Sequence, residues 1–156
     1  MIKISKHRTS VHTALYYVRL KTHSGHRLFA LADAATDILP KSASFAKIVA
    51  DELLQAAMSH RGVTIQQWII EPESLHALVS LKEERPSPEQ KGKPRLLTSF
   101  VAALKAATAK RINLMRNEPG APVWQRSYQE QLVEDDIMLA RLRKKLNESD
   151  SMVMSG

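Results

Sequence analysis

The sequence predicts an α+β domain: an antiparallel sheet with helices packed on one face. Three observations predict it. Segments of strand and helix character alternate as strand, helix, strand, strand, helix, strand, helix. The middle strands are joined by Glu71-Pro72-Glu73, a turn that lets the chain return only as an antiparallel neighbour. The returning segment, Ser74 to Leu81, alternates: Leu75, Ala77, Val79 and Leu81 share one apolar face, and Ser74, His76, Leu78 and Ser80 share the other.

The elements follow in order. Val11 to Lys21 (VHTALYYVRLK) is rich in β-branched and aromatic residues and reads as a strand, ended by the turn THSGH. Phe45, Ile48, Val49, Leu53, Ala56 and Ala57 recur at helical spacing, from a start near Ser42 or Ser44 to a stop at Gly62. Val63 to Ile70 is the next strand, then the turn and Ser74 to Leu81. Residues 82–95 (KEERPSPEQKGKPR) are charged and Pro-rich and read as a mobile loop. Leu96 to Met115 is a helix with the stripe Leu97, Val101, Leu104 and Ala107 or Thr108. NEPGAP ends it. Val123 to Val133 reads as a last strand, and Asp135 to Leu146 as a helix, acidic first and basic last, which suits the helix dipole. One domain is expected over 1–146, with a disordered tail over 147–156.

A chain of 156 residues with 44% hydrophobic and 25% charged content suits a single core. A net charge of +7 favours anionic partners, nucleic acid first. Without cysteine, disulfides and thiolate-bound metals are excluded. No apolar run reaches the roughly 18 residues of a membrane helix. The first residues, MIKISKHRTS, lack the apolar stretch of a secretory signal, so a cytoplasmic location is expected.

EPESLH places one histidine, His76, on the less apolar and more open face of its strand, two residues after Ser74. A histidine at position 74 would complete a paired H-x-H metal site. Read by spacing alone, His76 is a surface or half-buried histidine with no task sooner than a ligand.

Three stretches carry a resemblance: YYVRLKTHSGHRLF, WIIEPESLHALVSL, and the long run from FVAALKAATAKRINLMRNEPGAPVWQRSYQEQ to its end at RLRKKL. Together they resemble the REP-associated tyrosine transposases, within the single-tyrosine HUH insertion-sequence transposases, over roughly residues 11–146. The resemblance implies a ferredoxin-like fold with an extra C-terminal helix, and metal-dependent cleavage of single-stranded DNA. In that family two histidines of a P-N-H-x-H motif hold magnesium or manganese. A tyrosine on the last helix attacks the DNA phosphate and forms a covalent link.

This sequence departs at each point. Pro72-Glu73-Ser74-Leu75-His76 lies over the metal motif, so Ser74 stands at the first histidine. Lys145 lies at the helix tyrosine, and Gln131 stands where W-Q-R-x-Y-Y-E-H carries its histidine. A serine hydroxyl is a poor ligand beside one imidazole, and a protonated amine is no nucleophile. The resemblance therefore implies a transposase-like DNA-binding protein, inactive in strand cleavage and DNA transposition, a homodimer, needing no cofactor. Its DNA-binding candidates are Lys105, Lys110, Arg111, Arg116, Arg126, Arg141, Arg143, Lys144 and Lys145, since Lys and Arg contacts to phosphate carry non-specific affinity. Tyr16, Tyr17, Trp124 and Tyr128 are candidates for base stacking, with the core as the simpler place for Trp124.

Two alternatives stand beside it. A divergent but active nickase would need magnesium or manganese at His76 and Tyr128 as nucleophile, with its hydroxyl near His76. A protein-interaction module would reuse the fold without DNA.

Overall fold

In a computed structural model of the chain, residues 11–29, 41–84, 94–148 and 152–155 are described. The elements run β1 (Val11–Lys21), a 3-10 turn (His23–Gly25), α1 (Lys41–Ser59), β2 (Val63–Glu71), β3 (Ser74–Glu84), α2 (Arg95–Met115), β4 (Gln129–Leu132), α3 (Asp136–Glu148) and β5 (Met152–Ser155). The sheet order is β4-β1-β3-β2-β5, with every neighbouring pair antiparallel. The first four strands with α1 and α2 make the βαββαβ arrangement of the ferredoxin-like fold.

The main core lies between the sheet and the two central helices. Phe45, Ile48, Val49 and Leu53 of α1 and Leu97, Phe100, Val101, Leu104 and Ile112 of α2 bury against Val18, Leu20, Leu75, Ala77, Val79 and Leu81. Gly62 turns α1 into β2 at φ +91°, where a Cβ would stand 2.9 Å from the Lys82 carbonyl oxygen. A bulge in β2 between Ile65 and Gln67 reverses the strand's faces. Val63 and Ile65 point to the helices before it, and Trp68 and Ile70 after it. Gln67 and Ile69 are thereby turned to the opposite face, with Ile69 directly across from His76.

That opposite face is not open. α3 lies across it, with Leu146 buried against Ile69 and Leu78, and Leu139 and Leu142 half-buried around them. Leu78 and Ile69 needed a cover, and the amphipathic C-terminal helix supplies it. Asp135 Oδ1 caps the helix by accepting from the Met138 amide at 2.8 Å.

Three other expectations are corrected. The last strand is only Gln129–Leu132, not Val123 to Val133. Pro119 and Pro122 have no amide to donate. The carbonyls of Gln125, Arg126 and Ser127 all accept from Lys105 Nζ, at 2.7, 3.2 and 3.1 Å, so a side chain fixes this stretch. The tail expected to be disordered contains β5, which pairs with the outer edge of β2 through Gln67 to Ile70. An unpaired strand edge there would leave amides and carbonyls without partners. The expected loop over 82–95 begins later than predicted, because β3 runs to Glu84; residues 85–93 lie outside the described residues. Among the described residues, no helix is long and apolar enough to cross a membrane.

Candidate functional site

The β2–β3 hairpin is pinned from behind. The Thr22 amide donates to the Glu73 carbonyl and the Phe29 amide to the Pro72 carbonyl, each at 3.0 Å. This fixes where Ser74 and His76 emerge. Register then brings β1 beside them: Arg19 pairs with His76 on one side and with Gln129 of β4 on the other, and Tyr17 pairs with Gln131. Residues opposed in this way share a face.

His76 is buried, 7% exposed, and both its ring nitrogens have partners. Tyr17 Oη lies 2.6 Å from Nδ1, and Ser74 Oγ lies 2.8 Å from Nε2. Glu71 Oε1 is 3.2 Å from Nε2, and Ser74 Oγ is 3.5 Å from the same carboxylate oxygen. Burial pushes the His76 pKa below the ordinary imidazole range; Glu71 opposes this, and Arg19 and Lys145 add to it. Burial pushes the Tyr17 pKa up. The phenol keeps its proton and the ring is neutral near pH 7. The Glu71 carboxylate beside Nε2 favours the tautomer with its proton there, which leaves Nδ1 to accept from the Tyr17 hydroxyl.

Two clefts flank this group and share Arg19. One, of about 370 Å³, is lined by Tyr17, Arg19, Gln129, Glu130, Gln131 and Lys145. The other, of about 230 Å³, is lined by Arg19, Lys21, Gly25, Glu71, Glu73, Ser74, His76 and Gln125. Ser74, His76, Gln131 and Lys145, far apart in sequence, thus gather around Tyr17 and Arg19. Among the described residues, no three His, Asp or Glu side chains come together as a metal-binding set.

Tyr128 lies elsewhere. It packs against the helix-covered core, its hydroxyl 3.1 Å from Thr98 Oγ1 at the start of α2. The tyrosine whose hydroxyl meets His76 is Tyr17, on β1. Its geometry is that of a nucleophile beside a base, with Glu71 behind the base. Burial moves the two pKa values in the directions that oppose the proton transfer, and the Tyr17 hydroxyl meets the ring at 2.6 Å.

The basic candidates divide by what they touch. Lys105 holds the three carbonyls already named. Arg111 pairs with Glu52 at 2.9 Å and with Asp51 at 3.9 Å. Arg116 bonds Asn113 Oδ1 at 2.8 Å and lies 3.7 Å from Glu118. Arg143 donates to Gln66 at 2.7 Å and to Gln67 at 3.2 Å, holding α3 to β2. Lys110, Arg126, Arg141 and Lys144 are exposed. Lys145 lines the larger cleft. Trp124 is core: its Nε1 donates to Thr108 Oγ1 at 2.8 Å, and its ring stands 5.5 Å from Phe29. Tyr16 packs against the same core.

Sequence reasoning missed Arg19, Lys21 and Glu71, and gave Tyr17 no role beyond stacking. A signal was present. Tyr17, Arg19 and Lys21 alternate with the buried Val18 and Leu20, so they share the face that His76 shares.

No family model and no curated protein matches the sequence. Solved structures do. A REP-associated tyrosine transposase bound to a REP hairpin superposes with TM-score 0.53 at 11% identity, over 83% of this chain. This chain spans 61% of that transposase's length. A protein from Deinococcus radiodurans R1 assigned as a transposase aligns over 90% of this chain and 93% of its own, at 19% identity and TM-score 0.45. The first likeness, together with the strand order and the two central helices, establishes that this chain carries a transposase-like α+β fold.

Proposed function

We propose that the chain is a transposase-like DNA-binding protein that binds a stem-loop or single strand without cutting it. One observation carries the loss of cleavage: both ring nitrogens of His76 are engaged within the chain, by Tyr17 and by Ser74 with Glu71. A divalent ion at His76 would have to displace these partners and would find one imidazole, one carboxylate and a hydroxyl. That donor set lacks the second imidazole of the family's metal motif, and Nε2 already faces Ser74 and Glu71 within the chain. At the nucleophile's position, Lys145 offers a charge and no attacking hydroxyl. DNA as partner is supported by the net charge of +7 and by the hairpin bound to the similar transposase.

An active enzyme is the second reading, and Tyr17 is the observation that favours it over Tyr128. One experiment separates the two. A labelled DNA stem-loop with a single-stranded flank is titrated with the protein, with manganese present and salt varied, then run on a denaturing gel. Salt-sensitive binding with intact DNA is expected. A cut strand carrying protein would overturn the inactive reading, and Tyr17→Phe and Tyr128→Phe would identify the nucleophile. No binding at low salt would leave a fold reused for protein contacts.

A further inference from the structure

The larger cleft lies between β1, β4 and the last turn of α3. We infer that it seats one backbone phosphate of single-stranded DNA, held by Arg19 and Lys145 in place of a metal ion; this rests on the DNA-binding reading above.

Arg19 is prepared for such a contact. Its Nε donates to Gln129 Oε1 at 2.6 Å, and a terminal nitrogen donates to the same oxygen. A neutral amide thus fixes the guanidinium plane and leaves its charge uncancelled. Among the described residues, neither Arg19 nor Lys145 pairs with a carboxylate. Arg111 and Arg116 do, and Lys105 and Arg143 are spent on carbonyl and amide oxygens. Arg19 offers planar donors and Lys145 a mobile point charge, a combination that suits a tetrahedral oxyanion.

The surroundings agree. Gln131 shares the cleft and, opposite Tyr17, the face of Arg19. Glu130 also lines the cleft, but it pairs with Val18, whose side chain enters the helix-covered core, so its carboxylate leaves β4 on the other face. The seat is a cleft between the β1–β4 strands and Lys145 of α3. A duplex presents its phosphates on a convex, stiff surface, whereas a single strand can bend one inward.

A neutral-phosphate scan tests this. Stem-loops with a single-stranded flank are made with one methylphosphonate at each flank position in turn, and affinity is read by fluorescence anisotropy in EDTA. One position is expected to weaken binding about tenfold, the size of a charge-assisted hydrogen bond. Lys145→Ala, an exposed position that leaves the fold intact, should lose the same factor and become insensitive at that position. Its salt slope should fall by about 0.7. Lys47→Ala, exposed on α1, should keep the positional pattern of the parent. The inference is overturned if the parent binds but every flank position costs the same, if Lys145→Ala keeps the positional loss, or if EDTA abolishes binding. If the unmodified stem-loop does not bind at low salt, the DNA-binding reading fails as well, and that result is distinct from the others.

Discussion

Replacing Lys105 by methionine keeps most of the aliphatic stem and removes the ammonium, and so separates a structural lysine from a DNA contact. The Lys105 ammonium donates to the carbonyls of Gln125, Arg126 and Ser127 at 2.7, 3.2 and 3.1 Å. Fully desolvated, each charged hydrogen bond is worth about 1.5–3 kcal/mol. Here Gln125, Arg126 and Ser127 are exposed, so water takes over much of the role once the ammonium is gone. The expected net loss is therefore about 1–2 kcal/mol for all three together. In a chain of this size that lowers Tm by about 2–8 °C, measured by calorimetry. DNA affinity at fixed salt should change little, and the slope of log K against log salt should not change. A lost phosphate contact would instead flatten that slope by about 0.7–0.9. An unchanged Tm with a flattened slope would refute the clamp and restore Lys105 to the DNA-binding surface.

Three further outcomes are expected. With the His76 pKa held down by burial, the unfolded chain binds this proton more readily than the folded one below about pH 6.5. Stability is then retained above that pH and lost as pH falls toward the folded pKa, at no more than about 1.4 kcal/mol per pH unit. His76→Gln should remove this part of the slope in urea melts, and parallel curves for the two proteins between pH 5 and 7 would contradict it. Leu146→Ala should cost about 2–4 kcal/mol and raise amide exchange along α3, because Leu146 is the helix's one fully buried anchor on Ile69 and Leu78. Gly62→Ala should cost about 1–3 kcal/mol, from its positive φ and the clash with the Lys82 carbonyl, and a neutral result would mean that the turn relaxes freely.

The fold was legible wherever one face of an element is buried. Periodicity located α1 and α2 to within a few residues, and alternation gave the correct faces of β3. β2 carries a readable clue that simple alternation hides. Its residues packed on the helix-covered core switch from odd positions (Val63, Ile65) to even ones (Trp68, Ile70), which a bulge reconciles. β5 had no such signal, since its pairing depends on an edge of β2 that no local pattern announces. At the site, alignment with the family's motifs picked out Ser74, His76, Gln131 and Lys145, which do gather. It overlooked Arg19 because a basic residue on a strand looks the same whether it faces solvent or a histidine. The basic residues of α2 show the converse limit. Composition counts Lys105, Arg111 and Arg116 as charge offered outward, and the tertiary structure spends each on a partner within the chain.

That distinction bears on whether the site is a ruin or a working surface. A metal site that loses a ligand leaves a buried histidine with an unmet nitrogen, and an unmet buried polar group costs about 1–3 kcal/mol. Among the described residues no buried side-chain nitrogen or oxygen lacks a partner. Ser74 does more than vacate a position: its hydroxyl meets Nε2 and reaches toward Glu71, and Tyr17 closes Nδ1. The network is closed on its buried side, while the cations beside it, Arg19 and Lys145, remain turned to a cleft without a carboxylate partner among the described residues. Stability alone accounts for the closed half, since satisfying His76 removes a penalty. It does not account for the cationic half, because two like charges brought to one cleft repel each other and lower the stability of the fold. An anionic ligand turns that repulsion into affinity. On the proposed DNA-binding reading, neutral substitution of Lys145, which is exposed at this cleft, should raise Tm or leave it unchanged while weakening DNA binding.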